Sequence, residues 1–439
     1  PLAGAQTAQA ATGFVDTVMM GWLGQDVLAA GGLATMIFMA FKMTGVGLFS
    51  GVRPLVAEAY GAGQTRRIGQ LTRQGLWIVL LLSIPGMLFI THLNGVMHWS
   101  GQADTTIVLS DAYLNVMAWG LFPAIAFATL RGCIIALSQA RPIMLIVVAA
   151  TLFNILGNYG LGFGKWGFPA LGITGLAIAS ISAHWIMFLS LLVYMLWHKP
   201  LHQYSLFDSL HHLKPRILRQ LLWVGGPIGI AAVLEYGLYL TASFFMGALG
   251  TPILAAHQVV SQTVLVLFMV PLAMSYAATV RVGQWFGQRH WPQVRQAALV
   301  SIGLAVLFML TAGIALLAYP QQIIGLYLDL NDPANGEALN VGISIMKIAA
   351  FGLVLDGLQR TANGVLQGLQ DTRIPMVLGT IAYWGIGLTA SYLLGFYTPL
   401  SGAGVWIGTY IGLAAASIAY LWRFQKVMVR KKSLPVARS

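Results

Sequence analysis

Residues 13–21 read GFVDTVMMG and place an acid, Asp16, inside an apolar segment that runs from the start of the chain. A helix spans a bilayer with about 20 mainly apolar residues. An ionisable side chain within such a helix is costly, and it is by default a functional-site hypothesis. We therefore expect a membrane helix here, with Asp16 as part of an ion site.

The composition extends this prediction to the whole chain. Of its 439 residues, 58% are hydrophobic and 8% are charged, whereas a soluble domain carries roughly 25% charged residues. Apolar runs of spanning length recur throughout, and the short alternating strands of a β-barrel are absent. We predict an all-α membrane protein with twelve transmembrane helices. These helices cover residues 1–22, 28–50, 72–92, 108–130, 143–163, 172–197, 219–247, 253–279, 297–319, 340–365, 376–396 and 402–424.

The net charge of +12 does not indicate nucleic-acid binding, because the basic residues lie mostly in every second loop. This is the positive-inside pattern of a multi-pass membrane protein. The basic loops and tail carry Arg66, Arg67, Arg73, Arg141, Lys199, Lys214, Arg216, Arg219, Arg281, Arg289, Arg295, Arg373, Arg423, Lys426, Arg430, Lys431, Lys432 and Arg438. The opposite loops carry Asp26, Asp104, Asp329, Asp332 and Glu337, with Lys165 as the basic exception. We expect a protein of the cytoplasmic (inner) membrane with both termini cytoplasmic and a short piece preceding Pro1.

The two halves of the chain repeat each other. Aligned pairs include Pro1 with Pro227, Gly21 with Gly247, Gly24 with Gly250, Gly132 with Gly364 and Arg141 with Arg373. Six helices per half give both halves the same orientation, with a central cleft for substrate between them. We assign residues 1–197 to an N-terminal six-helix bundle, 198–218 to a cytoplasmic linker, 219–424 to a C-terminal six-helix bundle and 425–439 to a basic cytoplasmic tail.

Neither an enzyme nor a resident cofactor is predicted. The linker histidines, His198, His202, His211 and His212, have no cysteine or carboxylate partners in a zinc-binding pattern, so we interpret them as solvated. Cys133 is the single cysteine and forms no internal disulfide. The sequence contains no zinc-protease motif, nucleophile elbow or phosphate-binding loop.

Three acids lie well inside predicted helices, namely Asp16, Glu235 and Asp356. Each can bind a cation when ionised or carry a proton when neutral. The repeat aligns Glu235 with Gln9, which precedes Asp16 by almost two turns. The two acid positions therefore share a helix face and lie about 10 Å apart in depth. A position facing lipid would be very costly, so we expect both acids to face the protein interior.

Two polar pairs accompany these acids. Asn154 and Asn158 lie one turn apart in the fifth predicted helix and share a face. Their amides need partners, and Asp16 is the candidate; the alternative is a role in helix–helix contact alone. Asp356 has Arg360 one turn later, so an intrahelical ion pair is possible, and Asp356 is then either an ion site or purely structural.

Other polar and aromatic residues leave alternatives open. Lys42 lies well inside the second helix, and three roles are open for it. It snorkels to the membrane surface, it pairs with an acid, or it contacts the cavity. We interpret His184 and His257 as satisfied interhelical residues rather than proton relays. Aromatic side chains provide a surface for flat cations through cation–π contacts. The residues predicted to line the substrate cavity are Phe38, Tyr236, Gln258 and Gln359.

Several motifs together resemble one family. They are AQAATGFVDT at 8–17, VAEAYGAG at 56–63, NILGN at 154–158, Pro227 followed by Glu235-Tyr236, AHQ at 256–258, DGLQ at 356–359 and GVLQGLQDTR at 364–373. In these motifs the chain resembles the multidrug and toxic compound extrusion (MATE) transporters, in particular the bacterial NorM-like branch. The resemblance covers nearly the whole chain.

The resemblance implies a V-shaped protein of two six-helix bundles that exports amphipathic organic cations in exchange for H⁺ or Na⁺. Its ion- or proton-binding residues match Asp16, Asn154, Asn158, Glu235 and Asp356. We expect small cationic drugs or dyes as substrates, the lipid bilayer as the surroundings, no nucleic acid and a monomer.

The sequence departs from similar proteins at two positions. Gly352 stands where they often carry a tyrosine, and Arg360 lies beside Asp356. Both departures disfavour a Na⁺ site in the C-terminal half and favour H⁺. The alternative function is a lipid-linked oligosaccharide flippase of the same superfamily. Its pyrophosphate requires a basic cavity, whereas the three candidate site charges, Asp16, Glu235 and Asp356, are acidic. A passive channel fits less well, because the two halves place their acids at unlike positions.

Overall fold

The structure, a computed structural model, describes residues 1–93, 97, 104–206, 213–327 and 336–432. Within these ranges the regular structure is helical and no strand occurs. The α-helices are α1 (Leu2–Leu23), α2 (Gln25–Phe49), α3 (Val52–Gly61), α4 (Thr65–Ile90), α5 (Asp104–Met117), α6 (Leu121–Ala136), α7 (Arg141–Gly157), α8 (Gly172–Trp197), α9 (Lys199–His202), α10 (Pro215–Leu249), α11 (Thr251–Gly287), α12 (Trp291–Ala318), α13 (Pro320–Ile324), α14 (Gly336–Gly368), α15 (Arg373–Thr380), α16 (Leu388–Phe396) and α17 (Ser401–Lys432). Four predicted loop residues, Asp329, Asp332, His211 and His212, and tail residues 433–439 lie outside the described ranges.

The helices have the length and composition of membrane spans. In the described part of the chain, eleven helical segments are long and apolar enough to cross a bilayer. Helix α1, with 22 residues, is also of spanning length. It is not among the eleven because Gln6, Gln9, Thr12 and Asp16 lower its mean hydropathy. The predicted all-α membrane fold is confirmed.

Several of the predicted helices are shorter than those in the structure. Helix α4 begins at Thr65 rather than 72, α11 ends at Gly287 rather than 279, and α17 ends at Lys432 rather than 424. Apolar runs mark only the part of a helix that lies in lipid, whereas backbone hydrogen bonding continues through the polar turns beyond it. The unpredicted helix α3 contains Pro54 in its first turn, where proline is tolerated.

The sequence repeat is also a repeat in backbone conformation. Gly24 has φ 128° and Gly250 has φ 136°, a region that favours glycine. The Gly24 N–H donates to the Gly21 carbonyl at 3.2 Å, and the Gly250 N–H donates to the Gly247 carbonyl at 3.3 Å. The two aligned glycines therefore make the same sharp connection, from α1 to α2 and from α10 to α11.

The chain divides into two compact units, Pro1–Gly229 and Ile230–Ser439. The boundary falls inside the continuous helix α10, whereas the sequence placed it in the linker 198–218. In the first unit α7 packs between α1 and α8, and α4 packs against α6. In the second unit α14 packs against α11, α12 and α17 around a continuous apolar core.

One close helix contact in the second unit depends on glycine. A Cβ atom at Gly364 would overlap the side chain and carbonyl of Ser275 on α11. The Thr279 hydroxyl also donates to the Gly364 carbonyl at 2.9 Å, which fixes the two helices at this separation. Neither backbone can move away without breaking this contact.

We therefore expect Gly364→Ala to destabilise the protein by about 1–3 kcal/mol or more, since overpacking forces backbone shifts. The matched control is Gly303→Ala on α12, where a Cβ meets nothing within 4 Å. That change should be neutral or stabilising, because alanine is the better helix former by roughly 0.5–1 kcal/mol. Thermal unfolding of both purified variants measures the difference, and equal stabilities would contradict the packing argument.

Candidate ion sites

Asp16 is held by hydrogen bonds from two other helices of the first unit. The Asn158 amide Nδ2, at the end of α7, donates to Asp16 Oδ1 at 2.5 Å. The Ser180 hydroxyl on α8 donates to Asp16 Oδ2 at 3.3 Å. Each carboxyl oxygen therefore accepts one hydrogen bond, and the orientation of the carboxyl group is fixed relative to α7 and α8.

A second layer of amide contacts supports this arrangement. The Asn154 Nδ2 donates to Ser180 Oγ at 3.0 Å, and the Asn158 Nδ2 lies 3.3 Å from Asn154 Oδ1. Both asparagines have no exposed surface. Asn158 begins a π-helical turn, Asn158–Gly162, a local widening often found at functional sites. The structure thus brings Asp16, Asn154 and Asn158 together. It also adds Ser180, which the sequence did not single out, because one serine in an apolar helix is not a distinctive pattern.

Asp16 lines a cavity of about 80 Å³ inside the first unit, here called the N-terminal cavity. Its polar lining residues are Gln9, Thr12, Asp16, Thr17, Thr35, Lys42, Tyr113, Asn154, Thr151, Ser180 and His184, and its larger apolar ones are Phe38, Met39, Met117, Val147 and Met187. Sites for drug-sized ligands enclose roughly 300–1,000 Å³. The N-terminal cavity in this conformation therefore accommodates an ion, and a drug molecule requires it to expand.

Lys42 and His184 face this cavity together with Phe38. The Lys42 Nζ lies 5.9 Å from the centroid of the Phe38 ring, so of its three predicted roles the contact with the cavity is the one observed. The rings of Phe38 and His184 are 6.0 Å apart. His184 Nδ1 is buried without a hydrogen-bond partner among the described residues. The Ser180 backbone one turn earlier also acts on the His184 ring as a hydrogen-bonding group, so the interpretation of His184 as a satisfied interhelical residue stays a prediction, and the structure adds that it lines the cavity.

His257 behaves as the sequence predicted. Its Nε2 lies 2.8 Å from the Ser243 hydroxyl on α10, and the Trp406 indole N–H on α17 donates to its Nδ1 at 3.1 Å. Because the indole only donates, Nδ1 acts as the acceptor and Nε2 as the donor. His257 is therefore a hydrogen-bonded link between three helices.

The second unit holds an ion pair that the sequence did not predict. The Arg360 guanidinium lies 2.7 Å from Glu235 Oε1, and their side chains are 18% and 9% exposed. Arg360 does not form the possible intrahelical pair with Asp356, because its guanidinium binds Glu235 on α10. Asp356 Oδ1 instead lies 3.4 Å from the Tyr239 hydroxyl, which donates to it. We call Glu235, Asp356, Arg360 and Tyr239 the C-terminal cluster.

Tyrosines from other helices complete this region. A Cβ at Gly352 would overlap the ring of Tyr410, so a tyrosine of α17 fills the space that a side chain at 352 would take. The Gln359 amide donates to the Tyr383 hydroxyl. Tyr239 could have been found, because it lies one turn after Glu235. The sequence offered no reason to place Tyr383 and Tyr410 in this region, since they come from helices that are remote in sequence.

The four residues predicted to line a substrate cavity have different surroundings. Phe38 lines the N-terminal cavity. Gln359 has no exposed surface and is held by its hydrogen bond inside the second unit. Tyr236 is 68% exposed, and Gln258 is exposed as well.

Comparison with known proteins decides the family. A model of the MatE family matches residues 1–160 and 227–393. The chain belongs to the MATE family. It is 98% identical over 439 residues to the probable multidrug resistance protein NorM of Synechocystis sp., which spans all of this chain and 95% of that protein. It is 47% identical over 427 residues to the probable multidrug resistance protein NorM of Synechococcus sp., covering 97% of this chain and 92% of that protein.

A solved structure agrees with the MATE fold. A crystal structure of MATE in the straight conformation matches with a TM-score of 0.90 at 20% identity, covering 99% of this chain and 95% of that one. Both sets of acids lie inside the matched MatE segments, with Asp16 in the first and Glu235 and Asp356 in the second. Ser180 lies between the two segments.

Proposed function

We propose that this MATE-family protein is a secondary active multidrug efflux antiporter that exports amphipathic organic cations in exchange for H⁺. The observation that carries the proposal is the carboxyl group of Asp16 on the wall of the N-terminal cavity of about 80 Å³. The names of its relatives, probable multidrug resistance proteins, support the substrate class. On the basis of its loop charges, we place it in the cytoplasmic (inner) membrane with both termini cytoplasmic, working as a monomer.

A carboxylate in a low-dielectric cavity selects for positive charge. Asp16 is the one acid on the wall of the N-terminal cavity, and no second acid among the described residues lines it. Phe38 and Met39 add a polarisable surface beside it, which suits the flat apolar part of an organic cation. Protonation of Asp16 removes the attraction, so proton binding and drug binding oppose each other. This reciprocal coupling is what an exchanger requires.

The Asn158 side chain suits both states of Asp16. Its Nδ2 donates to the ionised carboxylate, whereas its Oδ1 is buried without a hydrogen-bond partner among the described residues. A protonated carboxyl group needs an acceptor for its O–H. Rotation of the amide about its own axis exchanges donor for acceptor, so Asn158 stabilises Asp16 before and after proton transfer.

The proposal of H⁺ rather than Na⁺ rests on the C-terminal cluster. Arg360 contacts Glu235 at 2.7 Å and supplies a permanent positive charge where a metal ion would bind. Asp356 lies one turn from this guanidinium, on the same helix. A second cation there is repelled by Arg360, whereas a proton joins Asp356 covalently and neutralises it.

Everted membrane vesicles test the coupling ion. We expect an imposed pH gradient to drive transport of an ethidium-like dye, because a protonatable carboxyl group carries the coupling. An imposed Na⁺ gradient at constant pH should drive no transport above that of vesicles lacking the protein. Transport driven by Na⁺ but not by the pH gradient would contradict the assignment of H⁺.

A further inference from the structure

The wall of the N-terminal cavity has the ligands of an alkali-cation site. Hard cations prefer carboxylate, carbonyl and hydroxyl oxygens. The cavity offers the Asp16 carboxyl group and the hydroxyl groups of Thr12, Thr35 and Ser180. The Asn158 Oδ1, on the residue that binds Asp16, is buried without a partner among the described residues. By ligand chemistry alone, this cavity suits Na⁺.

The charge of the cavity is the feature that does not suit Na⁺. Lys42 lies on the same wall as Asp16. Its observed contact is with the Phe38 ring, and within the described ranges it forms no hydrogen bond and no ion pair within 4.0 Å. Arg131, a further basic group near Lys42, donates to the side-chain oxygens of Gln6 and Gln9 at 3.1 and 3.3 Å. Lys42 is thus the cation that balances Asp16 across the cavity.

We propose that Lys42 is a specificity-determining residue that excludes Na⁺ from the N-terminal cavity, so that Asp16 binds a proton instead. Its ammonium group supplies the positive charge that a metal ion would bring. In this compact conformation two cations within about 80 Å³ repel each other strongly in a low dielectric, whereas an organic cation enters only the expanded cavity. A proton is accepted because it becomes part of the carboxyl group and occupies no ion site. The inference rests on the proposed function and deepens it by assigning the ion selectivity of the N-terminal cavity to one residue, beside the role given to Arg360 in the C-terminal cluster.

The test measures Na⁺ binding to the purified full chain in detergent, through thermal stability in NaCl against choline chloride at equal ionic strength. We expect the wild type to show no Na⁺ stabilisation that depends on Asp16. Lys42→Met keeps the length and removes the charge, and we expect an apparent Na⁺ affinity at least ~10-fold higher. Lys42→Arg keeps the charge and should resemble the wild type. Lys347→Met, an exposed lysine on α14, is the matched control and should change nothing.

Asp16→Asn is also introduced into each protein. Because this change removes only the binding at Asp16, the difference within each pair of proteins measures Na⁺ binding in the N-terminal cavity. The inference is overturned if the wild type already shows Asp16-dependent Na⁺ binding. It is equally overturned if Lys42→Met, or Lys42→Gln should the first variant fail to fold, gains none. The readout is ion binding without export, so a failure here is distinct from a failure of the antiport proposal, which transport assays measure.

Discussion

Replacement of Asp16 by asparagine is expected to abolish export of an ethidium-like dye, down to the level of cells that lack the protein. Asparagine has nearly the same shape as aspartate, but it carries no charge and accepts no proton in the physiological range. The variant therefore loses both the attraction for the cationic dye and the group that exchanges it for H⁺. Because the helix loses a costly ionisable group, insertion into the membrane should be unaffected.

Dye efflux from intact cells at matched protein levels measures this loss. The control is Asp26→Asn, which removes an acid in the first turn of α2, away from the N-terminal cavity. This control should export dye at the wild-type rate. Unchanged efflux by Asp16→Asn, or an equal loss in both variants, would show that the carboxyl group of Asp16 has no special role.

Replacement of Arg360 by methionine is expected to cause the largest loss of stability among the charge variants. The change removes the partner of Glu235, which is 9% exposed, and leaves a buried carboxylate uncompensated. Breaking a buried ion pair from one side typically costs about 3–5 kcal/mol. The lost contact of the guanidinium with the Phe268 ring, at 4.9 Å, adds to this cost.

The double variant Glu235→Gln with Arg360→Met should recover much of the stability, because neither charge is then left alone. A matched surface control is Arg67→Met, whose ion pair with Glu58 has side chains 31% and 22% exposed. Such exposed pairs contribute about 0–1 kcal/mol. Thermal unfolding of the four proteins in detergent gives the comparison. A similar small loss in both single variants would mean that the Glu235–Arg360 pair is not a buried structural pair.

The fold followed from the sequence because lipid leaves few alternatives. Apolar runs of spanning length had to be helices, and the glycine pairs fixed the repeat. What the sequence did not provide was the helical structure beyond the lipid, as in the early start of α4 at Thr65. Helix α3 was not predicted for a related reason, since an arginine followed by a proline, Arg53 and Pro54, is typical of a loop.

The candidate sites were predictable where the partners lie on one helix. Asn154 and Asn158 share a face by their spacing, and their proximity to Asp16 followed from the cost of burying amides without partners. The pairing of Arg360 was not predictable in this way. Its neighbour in sequence, Asp356, competes with Glu235 on α10, and only the packing of α10 against α14 decides between the two acids.

The central claim is that proton movement and drug movement are coupled at Asp16. The most direct test uses the purified protein in liposomes, where dye movement and proton movement are recorded together after a dye gradient is imposed. We predict that in the wild type dye leaving one side brings protons in the opposite direction, and that Asp16→Asn loses both movements. Dye movement without proton counter-flow in the wild type, or coupled exchange that persists in Asp16→Asn, would contradict the account.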